Sequence, residues 1–345
     1  MKRKMTKGTI EQACERIVSS QFLVISAGAG FGADSGLPIY ANIDDKLPVP
    51  YDHLCNPKCA ETDPIVFGGF WGQCWESFTK TKPHDGYKIL KRWVAQYYSS
   101  GEIHERVSSM LRGGKSNTKN NKKKKVTDES ERRVVFPGAC MVYTTNIDGH
   151  FLEEFPEHMV YEKHGTVRYW QCSKAPAAKE LNPSEVKQKR STLKRLDPSF
   201  SFSVDLKTLH TSTPLPECTC CNKPMRPNVL MFNDKSWAPR NDAEQTWDAW
   251  RELAIEVTLE KSSHHLTILE LGAGTKVPTL RREMEYMIET LEETGQVTLI
   301  RINPDQDEKA SEDQPCTIQI FDTALHALTQ MDEKIRLRPT MKQDH

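Results

Sequence analysis

The chain has no excess charge of either sign. Lys and Arg together number 47, Asp and Glu number 47, and the formal net charge is zero with histidines neutral. That balance gives no global support for a nucleic-acid surface or an anionic membrane as partner. Long apolar runs are missing too. No stretch approaches the ~20 residues that a spanning helix needs. The basic start Met1-Lys2-Arg3-Lys4-Met5-Thr6 has no apolar segment behind it, so no secretory signal is expected. A disulfide framework is not indicated. The ten cysteines are scattered, and Cys140 sits inside a strand-like run. This reads as reduced thiols in an intracellular protein, cytoplasmic or nuclear.

What is present is a set of apolar runs that end in polar or glycine-rich turns. Phe22-Leu23-Val24-Ile25 leads into Gly28-Ala29-Gly30-Phe31-Gly32-Ala33. Such a run reads as a buried parallel strand, and the glycines after it let backbone N–H groups approach a phosphate. Met141-Val142-Tyr143-Thr144 leads into Thr145-Asn146-Ile147-Asp148-Gly149-His150. His158-Met159-Val160-Tyr161 leads into Glu162-Lys163-His164-Gly165. Leu266–Leu271 leads into Gly272-Ala273-Gly274-Thr275, and Val297–Ile302 leads into Asn303-Pro304-Asp305. In an open parallel sheet these turns gather at one edge, where ligands bind. An ordinary dinucleotide domain would also carry an acid about 20 residues after its glycines. The segment there, 42–52, is rich in proline and charge and reads as a loop. A nucleotide must be held in another way.

Residues 9–20 read as a helix with Thr9 and Gln12 at capping-box spacing. Phe67, Phe70, Trp71, Trp75 and Phe78 recur at helical spacing and read as a core face. Residues 112–133 are low-complexity and lysine-rich, either a solvated insertion or a nuclear-import signal. Asn241 or Asp242 offers a cap for a following helix.

Taken in order, these motifs resemble the sirtuin family. Gly28-Ala29-Gly30 through Gly36-Leu37-Pro38, Thr144–Asp148, His164-Gly165, Cys218-Thr219-Cys220-Cys221, Arg226–Asp234, Gly272–Thr275 and Ile302-Asn303 follow the family's sequence of motifs. The forms at 146–151 and 272–275 look closer to a divergent, bacterial-type branch. There are departures. The family's D-F-R is Ile39-Tyr40-Ala41, its loop serine is Gly32, its glutamine is Thr145, and a zinc-ligand cysteine is Ala175.

The resemblance implies an α/β fold: a Rossmann-like parallel sheet with helices on both faces, plus a small, discontinuous zinc-ribbon-like module. It places the sheet domain at 8–165 and 229–335, with a helical insert at 42–111 and the loop at 112–133. The module then covers 166–228 and a tail covers 336–345. It implies NAD as the nucleotide, lined by Gly28, Ala29, Gly30, Tyr40, Thr145, Asn146, Asp148, Gly272, Gly274, Thr275 and Asn303. His164 matches a general base, a task that suits imidazole. Asn146 matches a ribose- and water-positioning residue, and Asp148 an acid that grips the nicotinamide amide. Cys172, Cys218 and Cys221 would be zinc ligands, with Cys220 or His210 as the fourth. The implied activity is protein-lysine deacylation on an acyl-lysine protein or peptide. Val229-Leu230-Met231-Phe232 would either take that peptide by strand addition or serve as a plain sheet strand. Two alternatives stay open: an NAD hydrolase or ADP-ribosyltransferase on the same site, and a weakly active NAD- or ADP-ribose-binding module.

Overall fold

The structure is a computed structural model that describes residues 7–39, 47–114, 137–173, 193–239, 242–275, 277–305 and 316–338. Its centre is a six-stranded, all-parallel sheet. The strands are β1 (Phe22–Ala27), β2 (Cys140–Thr144), β3 (Val160–Glu162), β9 (Leu266–Leu271), β10 (Val297–Ile302) and β11 (Thr317–Ile320). Every residue of β1, β2, β9 and β10 is buried, which is why these strands are near-continuous Val, Ile and Leu runs. Helices cover both faces. Leu23, Ile25 and Ala27 point into one apolar core, while Phe22 and Val24 point into the other.

The spatial order is β11-β10-β9-β1-β2-β3. After β1 the chain winds outward through β2 and β3, then returns past β1 to lay down β9, β10 and β11. The winding therefore reverses between β1 and β9. In open α/β sheets the crevice at that reversal, at the carboxyl ends of the strands, is where ligands bind.

A second, smaller sheet follows β3. Its strands are β4 (Gly165–Cys172), β5 (Lys194–Arg195) and β8 (Met225–Val229), antiparallel in the order β5-β4-β8. A short hairpin, β6 (Val204–Asp205) with β7 (His210–Thr211), lies beside it in sequence. The helical insert is divided between the two sheets. The Pro64–Lys80 helix packs Phe67, Phe70, Trp71 and Trp75 into the small-sheet core with Trp170, Phe202 and Met225. The Asp85–Tyr97 helix instead packs Tyr87, Ile89, Leu90 and Trp93 against the large sheet.

Several local expectations are corrected. The first helix is Lys7–Ser19, so Thr9 lies inside it and does not cap it. Glu157–Met159 is a 3-10 turn, and the strand starts only at Val160. Asp242 does take the N-cap position of the Ala243–Leu259 helix, but without a side-chain capping bond. Most of the lysine-rich 112–133 run, and Tyr40, Ala175 and Asn241, lie outside the described residues.

Candidate functional site

The turns after β1 and β9 meet at the winding reversal. Gly30 N–H donates to Gly272 O at 3.0 Å, and Gly28 N–H donates to Leu271 O at 3.0 Å. A β-carbon at Gly30 would stand 2.8 Å from both Gly272 Cα and Gly272 O. Gly272 has φ +58°, in the left-handed region. The glycines are thus required first by the approach of one loop to the other. Ala29 begins a one-and-a-half-turn helix, Ala29–Ala33, whose N-terminal end opens at this edge. Gly274 and Thr275 are exposed above it. Asn303 lies at the end of β10, but its side chain is already engaged: Nδ2 donates to Ala273 O at 2.9 Å and Oδ1 accepts from Asp305 N–H at 3.0 Å.

The second group follows β2. Thr144 Oγ1 donates to Ala27 O, Thr145 N–H donates to the same carbonyl, and Asn146 N–H donates to Thr144 Oγ1. These bonds tie the Asn146–Asp148 turn to the end of β1. Asn146 is 7% exposed, yet both Oδ1 and Nδ2 lack a hydrogen-bond partner among the described residues. Buried amides are normally paired, so this side chain keeps unused hydrogen-bonding capacity. Asp148 is 5% exposed, and burial pushes its carboxyl above the usual range, against the opposing pull of His150 and Arg168. A β-carbon on Gly32, the position of the family's serine, would stand 3.4 Å from Asp148 Oδ2.

His164 follows β3. Lys163 N–H donates to Thr144 O at 2.8 Å, which brings the 163–164 turn against the 144–146 turn. Burial lowers the imidazole pKa, the Lys163 charge lowers it further, and a hydrogen bond to the Thr145 backbone opposes both. The ring is therefore neutral near pH 7, with a nitrogen able to accept a proton. The structure brings Gly28–Gly30, Gly272–Thr275, Thr145, Asn146, Asp148 and His164 to one edge of one sheet.

Sequence reasoning missed the layer behind this edge. His84 clamps the glycine loop: Nε2–H donates to Phe31 O at 2.9 Å, and Nδ1 accepts from Gly86 N–H at 3.0 Å. Burial keeps this ring neutral, its pKa below the ordinary value. Tyr87 Oη and His150 Nδ1 are buried without partners among the described residues. Burial, with Asp148 nearby, raises the Tyr87 phenol well above its usual range. No local pattern marks His84 or Tyr87, because the contacts join segments far apart in sequence.

In the small module, the sulfurs of Cys172, Cys218 and Cys221 lie within 4.8 Å of one another, with Cys172 Sγ and Cys221 Sγ 3.5 Å apart. Three thiolates at this spacing fit three corners of a tetrahedral zinc site. Neither candidate for the fourth corner belongs to the group. His210 is paired in the β6–β7 hairpin, and Cys220 is exposed outside the cluster.

The segment after β8 is also engaged internally. Leu230 N–H donates to His164 O at 2.9 Å and Phe232 N–H to Cys55 O at 2.9 Å. Asp234 N–H then closes a turn on Met231 O, with Asn233 at φ +56°. Inside the turn, Arg226 and Asp234 form an ion pair at 2.7 Å with both side chains fully buried.

No family model matches the chain. A probable bifunctional ADP-ribose hydrolase/ADP-ribosyltransferase of Fusarium oxysporum f. sp. cubense is 27% identical over 172 residues, 47% of this chain and 25% of that protein. The chain thus matches about a quarter of that relative's length. Among solved structures, a Sir2 homologue–NAD complex is 17% identical with a TM-score of 0.56, covering 94% of this chain and 93% of that one. A Sir2 homologue mutant complex with 2'-O-acetyl ADP-ribose is 17% identical with a TM-score of 0.57, covering 97% and 99%. A Sir2–p53 peptide–NAD structure is 16% identical with a TM-score of 0.54, covering 95% and 99%. With its parallel sheet, winding reversal and small cysteine-bearing module, the chain has the Sir2 fold.

Proposed function

We propose that this protein uses NAD as an ADP-ribosyl donor, releasing nicotinamide and passing the ADP-ribosyl unit to a nucleophile. The observation that carries the reading is the buried Asn146 amide at the carboxyl edge, unpaired among the described residues, beside a desolvated Asp148 and a His164 whose pKa is lowered by burial. Breaking the nicotinamide–ribose bond develops cationic character on the ribose. In this reading Asn146 positions the ribose and the attacking group, Asp148 holds the carboxamide, and His164 accepts the nucleophile's proton. The glycine loops at 28–30 and 272–275 hold the dinucleotide.

Transfer to water or to a protein side chain is favoured by the segment after β8. Strand addition needs backbone N–H and C=O groups facing one edge. The N–H groups of Leu230 and Phe232 are taken up within the chain, and the run turns back after Phe232. The partial likeness to an ADP-ribose hydrolase/ADP-ribosyltransferase points the same way. A second reading is protein-lysine deacylation, with an acyl-lysine oxygen as the first nucleophile. The likeness to a Sir2–p53 peptide–NAD structure supports it.

Mass spectrometry of the products formed from NAD, with and without acetyl-lysine peptide, separates the readings. The first expects nicotinamide release without peptide, together with ADP-ribose or ADP-ribosylated protein. Release that requires the peptide and yields O-acyl-ADP-ribose would establish deacylation. Binding of NAD with no release under either condition would leave a binding module.

A further inference from the structure

Beneath the Gly272–Thr275 loop lies a buried ionic cluster that the reading of the site does not use. Glu270, the next-to-last residue of β9, is fully buried. It accepts from Arg301 on β10 through two bonds, Nε to Oε1 at 2.5 Å and Nη2 to Oε2 at 3.1 Å. Arg281, in the first turn of the Thr279–Leu291 helix and 7% exposed, approaches the same carboxylate with Nε 3.7 Å from Oε1. Its Nη2 donates to Ala273 O at 2.8 Å. That carbonyl belongs to the loop on which Gly28 and Gly30 rest.

We propose that Arg281 is a positioning residue for NAD: with its charge balanced by Glu270, it donates to the Ala273 carbonyl and so sets the cradle that Gly272–Thr275 and Gly28–Gly30 form together. The proposal rests on the reading that NAD binds at this edge. A guanidinium suits the task because it donates to the Ala273 carbonyl while its delocalised charge stays beside the Glu270 carboxylate, 3.7 Å away and without a hydrogen bond between them. Asn303 Nδ2 is the second donor to the same oxygen, so the loop is held from the start of a helix and from the end of β10. Glu270 sits between the two guanidinium groups, hydrogen-bonded to Arg301 and placed to balance the charge of Arg281.

The test compares Arg281→Met, Arg281→Lys and Gln296→Ala in the full chain. Gln296 is a control for stability alone: it holds Thr258 O, Lys261 O and His264 O at the opposite edge of the sheet. Calorimetry with NAD and with ADP-ribose, melting temperature, and the KM and kcat for nicotinamide release are measured. Arg281→Met is expected to weaken binding of both ligands and raise KM about tenfold, the weight of one charge-assisted hydrogen bond, with kcat little changed. Arg281→Lys should fall between, and Gln296→Ala should lower the melting temperature at unchanged KM. If Arg281→Met does not fold, Arg281→Lys decides. Wild-type affinity in the folded Arg281 variants, or an equal loss of affinity in Gln296→Ala, overturns the proposal. Failure of the wild type to bind either ligand overturns the underlying reading as well, and is told apart by that first measurement.

Discussion

His164 works, in the proposed reaction, only as far as its ring stays neutral. Burial and the neighbouring Lys163 ammonium both depress its pKa, so it remains a base below the ordinary histidine range. Lys163 is held in place by Glu244 at 2.9 Å. Replacing Lys163 with Met removes a cation and leaves Glu244 unpaired by it, and both changes favour the imidazolium. The acid limb of the rate profile for nicotinamide release should therefore move to higher pH, by about half a unit for a partly screened neighbouring charge. An unmoved limb would show that His164 does not titrate in the rate-limiting step. His164→Ala should lower the rate about a hundredfold or more with NAD affinity retained, because a general base acts chiefly in the transition state. Of these residues, His164, Asn146 and Asp148 were singled out through the resemblance to the sirtuin motifs, since a lone histidine or an Asn-x-Asp turn after a strand-like run does not by itself mark a site. The sequence did not show that Asn303 is bonded to Ala273 and Asp305, since a side chain's partners depend on which loops meet.

The paired glycine turns carry the plainest consequence among the elements. The expectation from sequence was that a side chain at Gly30 would intrude on a phosphate. The structure gives a nearer obstacle, the Gly272 backbone. Gly30→Ala should therefore destabilise the free protein by about 1–3 kcal/mol through overpacking, before any ligand is added. Chemical denaturation without nucleotide checks this. A variant as stable as the parent but impaired in binding would return the glycine to its phosphate role. Five of the six strands of the large sheet were legible, because a parallel sheet buried on both faces demands unbroken apolar runs; the edge strand β11, mostly half-buried, was not. Helix starts were less legible. Thr9 looks like a cap by spacing, yet the Lys7–Ser19 helix begins two residues earlier.

For the molecule as a whole, the cysteine module offers a direct test. Zinc held by Cys172, Cys218 and Cys221 should copurify at about one equivalent, and a chelator should lower the melting temperature. Cys172→Ser should remove the metal. Metal-free protein of unchanged stability would mean that the apolar packing of Trp170, Phe202 and Met225 suffices. The spacing of Cys218 and Cys221 made this cluster readable, while the failure of His210 and Cys220 to join it was decided by strand pairing and exposure. The insert was legible as helical but not as divided between two cores. That division has a practical meaning for anyone dissecting the chain. Excising residues 51–114 would strip Phe67 and Trp71 from one core and Tyr87 and Trp93 from the other. It would also remove His84, which pins the Phe31 carbonyl. The two sheets are thus not separable fragments: each is finished by a length of chain that the other also needs.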